Sequence, residues 1–94
     1  MDIAEFMSSL SGDLPPAGVS VCLKSLWFDG KGEWEKAHEQ VDKLAGKEAA
    51  RVHAYLHRKE GDSWNADYWY QRAGANRPDS SLQEEWAYLV KQFL

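Results

Sequence analysis

The sequence predicts an all-α fold: two tandem antiparallel helical hairpins with a capping helix at each end, filling residues 1–94 as one domain. Three observations carry that prediction. Apolar residues recur at helical spacing in six successive segments. A glycine stands after each of the first five, where a helix needs a residue that accepts the left-handed conformation. No segment alternates apolar and polar residues as a half-buried strand does.

The first helix covers residues 2–10. Ile3, Phe6, Met7 and Leu10 fall at i, i+3, i+4 and i+7, and Asp2 and Glu5 are spaced as a capping pair. Ser11-Gly12-Asp13-Leu14-Pro15-Pro16 ends it, and proline suits the first turn of the next helix. That second helix is expected from about Pro16 to Asp29. Val19, Leu23, Leu26 and Trp27 lie on one of its faces and Val21 and Phe28 on the other, the pattern of a helix held between neighbours. A third, from about Glu33 to Ala45, aligns Trp34, Ala37, Val41 and Leu44. The fourth runs from Lys47 to Glu60 and stops at Gly61; Asp62 caps a fifth that reaches Ala73. Ser80 and Gln83 form a capping-box pair that opens the last helix, where Leu82, Trp86, Leu89 and Phe93 make one apolar stripe opposite Gln83, Glu84 and Lys91.

An internal repeat organises these helices. Sliding the chain by 29 residues superimposes Gly32 on Gly61, Glu33 on Asp62, Ala37 on Ala66 and Val41 on Tyr70. Each copy is a helix, a glycine turn and a second helix with alanine five positions after the glycine. Two helices crossing at short range need such a small side chain where their backbones approach. The first copy spans about 18–46 and the second about 47–78, with 80–94 as the C-terminal cap.

The second copy resembles a known family. Gly61, Ala66, Tyr70, Ala73 and Pro78 fall at the spacing of the tetratricopeptide repeat. The run Ala66-x-x-Trp69-Tyr70-x-Arg72-Ala73 is equally similar to the related Sel-one-like repeat. The likeness covers residues 47–78 well and 18–46 loosely, since Leu44 and Ala49 stand where alanine and proline are usual. The core His53-x-x-x-His57-Arg58-x-Glu60-Gly61-Asp62-x-x-Asn65-Ala66-x-Tyr68-Trp69-Tyr70 is also similar to that of small uncharacterised proteins. The repeat resemblance implies paired helices that bind a protein or peptide.

Composition narrows the function classes. A formal net charge of −4 argues against nucleic acid and anionic membrane as partners, both of which need a basic surface. Five Trp, four Tyr and three Phe give a short chain a core of bulky groups. The single cysteine, Cys22, sits among Val19, Val21, Leu23 and Leu26, so it is expected as a buried thiol in a reducing compartment. With no secretory signal in Met-Asp-Ile-Ala-Glu-Phe, the expected location is cytoplasmic.

The fourth helix holds the chemistry. His53 and His57 share one face with Ala50 and Ala54, and His38 lies one hairpin earlier. Two imidazoles one helical turn apart are spaced to bind one Zn²⁺, with His38, Glu60 or Asp62 as a third ligand. Against this, no glutamate follows His53 as in the metalloprotease motif, and neither a nucleophile nor a phosphate loop accompanies the pair. The leading expectation is therefore a non-enzymatic module without a cofactor that binds a protein or peptide, or a second copy of itself. Its surface would be formed by Trp64, Tyr68, Arg51 and Arg58, with His53 and His57 as neutral packing residues. The alternative is a metal- or ligand-binding protein that uses His38, His53 and His57.

Overall fold

The structure, a computed structural model, describes all 94 residues. Six helices and no strand follow one another: α1 Ile3–Ser9, α2 Val21–Gly30, α3 Trp34–Val41, α4 Lys47–Lys59, α5 Ser63–Arg72 and α6 Leu82–Phe93. The predicted capping box of α1 is present, with Asp2 accepting from the Glu5 amide and Glu5 accepting from the Asp2 amide.

Two helix starts differ from the sequence reading. The second helix begins at Val21 with Ser20 as its cap, not at Pro16. Gly18 has φ +78°, and a left-handed residue there cannot lie inside a right-handed helix. The last helix is opened by Ser81 and Glu84, one residue later than the predicted Ser80 and Gln83. The Ser80 carbonyl accepts from Arg58 of α4, which ties that residue to the neighbouring helix. The third helix is also shorter than expected and closes on Asp42, whose amide donates to the His38 carbonyl.

The hairpin turns follow one mechanism. In each, an amide reaches back five residues across a left-handed glycine: Glu33 to the Phe28 carbonyl past Gly32, and Asp62 to the His57 carbonyl past Gly61. These bonds satisfy carbonyls that the helix end would leave bare. The short turns lay α3 on α2 and α5 on α4, so the chain folds as two successive helix pairs. Ala37 and Ala66, the small residues of the repeat, are fully buried at those crossings. Ser25 of α2 donates across the first crossing to the Ala37 carbonyl at 2.7 Å.

The pairs are joined by α3 against α4, and α6 crosses both by packing on α2 and α4 and touching α1. Trp86, Leu89 and Val90 of α6 enter one core with Phe6, Leu26, Trp27, Val52, Tyr55 and Leu56. The Trp86 indole donates to the Leu26 carbonyl at 2.8 Å. Thus α6 covers the shared surface of α2 and α4 and closes both pairs together.

Candidate functional site

Two buried polar clusters lie on opposite sides of α4. The first is built by α3 and α4. His53 and His57 are 2 % and 8 % exposed, one turn apart on the face that meets α3 and α5. Their rings stack at 5.4 Å with 11° between planes. His38 comes to them from α3: its Nε2 lies 3.0 Å from Nε2 of His53, and its ring is 5.4 Å from that of His57. One ligating atom from each of the three lies within 4.8 Å of those of the other two. The alternative set named from sequence is therefore brought together by the packing of α3 on α4.

The surroundings fix these rings. Trp34 stacks on His38 at 5.0 Å and sends its indole N–H to the Leu56 carbonyl of α4 at 2.8 Å. Trp69 of α5 stacks on His53 at 4.1 Å. The Glu60 carboxylate lies 2.6 Å from Nδ1 of His57, which leaves Nε2 of that ring free. Such a carboxylate behind an imidazole sets the orientation of a ring that could act as a ligand. Asp62, another third ligand considered from sequence, is occupied elsewhere: its two oxygens accept from the Asn65 amide and side chain.

His53 is the least satisfied member. Its Nδ1 is buried and has no hydrogen-bond partner. The neutral ring has one N–H and one lone pair, so only one of its nitrogens is used in either tautomer. Burial, with His38 and His57 adding to it and Asp42 opposing, lowers the His53 pKa from 6.5 to about 4. The ring is thus neutral at pH 7 and keeps a lone pair for a cation.

Asp42 was not singled out by the sequence reading, yet it belongs to this site. Its Oδ1 lies 3.9 Å from Nε2 of both His38 and His53, and its side chain is 52 % exposed. The signal was present, because Asp42 stands four residues after His38 as His57 stands four after His53.

The second cluster centres on Glu85 of α6, a carboxylate that is fully buried. Arg51 donates to its Oε2 at 2.6 Å, Arg58 to its Oε1 at 2.7 Å and the Tyr70 hydroxyl to Oε2 at 2.5 Å. Burial, followed by the hydrogen bond to Glu85, raises the Tyr70 pKa above its usual value. Arg51 and Arg58, expected on a solvated binding stripe, are instead paired inward. A helical wheel shows which residues share a face but not that a buried carboxylate from α6 will meet them. Lys59 is likewise drawn in, donating to the buried Asp29 at 2.8 Å, where the Tyr55 hydroxyl also donates.

Of the four residues expected on a partner surface, only Trp64 and Tyr68 face solvent, 79 % and 43 % exposed. Neither the loop after α5 nor the last helix covers Trp64. Arg72 donates to the Tyr68 hydroxyl at 2.9 Å and lies over its ring. No protein-family model, curated protein or solved structure matches the chain.

Proposed function

We propose that this protein binds one divalent transition-metal ion through His38, His53 and His57. A single observation carries the reading: the 3.0 Å separation of Nε2 of His38 from Nε2 of His53, with a third imidazole in reach. Zinc–nitrogen bonds of 2.0–2.1 Å place neighbouring ligands of a tetrahedral ion about 3.3 Å apart. The two nitrogens are close to that separation. Imidazole nitrogen suits Zn²⁺ and its late first-row neighbours, whereas Mg²⁺ and Ca²⁺ take oxygen.

The energetics favour the ion over its evident costs, the first of which is the His38–His53 hydrogen bond that it replaces. Coordination through Nε2 puts the His53 proton on Nδ1, a buried donor without an acceptor. Such a donor costs about 1–3 kcal/mol. Binding of Zn²⁺ by structural sites contributes roughly 10 kcal/mol or more.

Titration of the chelator-treated protein with Zn²⁺ tests this. Calorimetry should give one ion per chain, and the melting temperature should rise with free Zn²⁺. An ion that binds only the folded chain adds about 2.7 kcal/mol at a hundred times its Kd. His53→Ala should abolish both responses. A protein that takes up no stoichiometric Zn²⁺, with a melting temperature indifferent to metal and chelator, would refute the reading.

A second reading rests on Trp64. An indole 79 % exposed on α5, one turn from Tyr68, offers an aromatic surface to a protein or peptide partner, a second copy included. The repeat resemblance supports a binding role of this kind. The surface would be the outer face of α5, because α6 covers the shared face of α2 and α4.

A further inference from the structure

We propose that Asp42 is the fourth ligand of the bound ion, so that two i, i+4 pairs, His38 with Asp42 and His53 with His57, close one tetrahedral site and staple the two helix pairs together. The inference rests on the metal-binding reading of the three histidines. It adds what completes the coordination and what the ion does to the fold.

The geometry of Asp42 points to this role. Its Oδ1 is the same 3.9 Å from Nε2 of His38 and of His53, and those nitrogens are 3.0 Å from each other. An oxygen so placed faces the edge that the two nitrogens form. Coordination at about 2.0–2.2 Å needs it about half an ångström closer to those two nitrogens, and closer to His57 as well, whose ligand atom groups with those of His38 and His53 but not with that of Asp42 in this structure. The side chain is half exposed, and no side chain or amide outside the histidine cluster is bonded to its carboxylate, so no such bond has to break for it to turn toward the ion. His38 is also the most exposed of the three rings, so the ion has its entry at the His38–Asp42 side.

The placement of the pairs follows from helix periodicity. Residues four apart on a helix present neighbouring side chains on one face. The His38–Asp42 pair ends α3, which belongs to the first helix pair, and His53 and His57 lie on α4 of the second. An ion held by both is a further cross-link between elements that already meet in the common core and through Trp34, which packs on His38 and His57 and donates to Leu56. Three neutral nitrogens and one carboxylate leave a net charge of +1 on a divalent ion. The set favours Zn²⁺ and Co²⁺ over Cu⁺, which prefers thiolate and thioether ligands. A filled fourth position leaves no open site for a substrate, so the ion holds the fold together and does not activate water.

The test uses the full chain with Zn²⁺ and Co²⁺ as probes and compares wild type with Asp42→Asn. The variant should fold with an unchanged melting temperature in chelator, because the half-exposed carboxylate is bonded to nothing else. Its affinity for Zn²⁺ should fall at least about tenfold, and the Zn²⁺-induced rise in melting temperature should shrink with it. The visible absorption of bound Co²⁺ should be intense in the wild type, as four-coordinate tetrahedral Co²⁺ is, and should shift and weaken in the variant. Equal affinity and superimposable Co²⁺ spectra would overturn the role of Asp42 while leaving the three-histidine site standing. Failure of the wild type itself to bind either ion would overturn both.

Discussion

The two buried polar clusters on α4 differ in how completely they are satisfied. Around Glu85 every strong group has a partner: both carboxylate oxygens accept, from two guanidinium groups and a phenol. Around His53 a buried nitrogen has none, and three groups able to act as bases crowd together. A buried charge network that is fully paired joins elements, and removing one member exposes the others to an unmet desolvation cost. A cluster of neutral imidazoles whose nitrogens are not all hydrogen-bonded instead keeps lone pairs that a cation can take. The same helix thus carries a structural joint on one side and a candidate binding site on the other.

The largest effect should come from the satisfied side. Glu85→Gln leaves Arg51 and Arg58 without their anion and should destabilise the fold by about 3 kcal/mol, read by urea unfolding. A loss below about 1 kcal/mol would show that the guanidinium groups reach water instead and would break the contrast. The histidine side should respond next, through pH, in the metal-free protein. His53 has a pKa of about 4 folded against 6.5 unfolded, so between those values the unfolded chain binds more protons. Its contribution to stability is fully present above pH 6.5 and is lost as the pH falls toward 4. His38 and His57 facing the ring strengthen the effect and Asp42 opposes it. The loss should be on the order of 2–3 kcal/mol, and His53→Gln should flatten it. An unchanged profile in His53→Gln would mean that the ring is hydrated. The smallest effect belongs to neither cluster. Trp64→Ala should change stability by less than about 0.5 kcal/mol, because its indole touches solvent. If sedimentation shows wild-type chains associating, the same substitution should dissociate them; association that survives it would place the contact elsewhere.

Much of the fold was legible. Asp2 and Asp62 cap the helices they were expected to cap, and Gly32 and Gly61 turn the chain as the 29-residue offset implies. Ala37 and Ala66 are buried where a small side chain was required. Gly18 was misread because a glycine that takes positive φ is indistinguishable, in sequence, from one tolerated with helical φ in a first turn. The shift from Ser80 to Ser81 has a similar origin: two adjacent serines cap equally well until a contact from α4 occupies one.

The site divides along the same line. Periodicity alone determines that His53 and His57 share a face, and that Trp64 lies away from the packed face of α5, because both follow from 100° per residue along one helix. It also places Asp42 beside His38, a relation visible in the spacing but without meaning until a partner was known. Only the tertiary structure decided that α3 would lay His38 and Asp42 against His53, and that α6 would carry Glu85 into reach of Arg51, Arg58 and Tyr70. Helix-forming signals act within a few residues of chain, while these contacts join groups 11 to 34 positions apart. Which lone pairs meet and which charges are paired depends on how whole helices cross, and that is set by the packing of Trp27, Leu56, Trp86 and Leu89 in the common core.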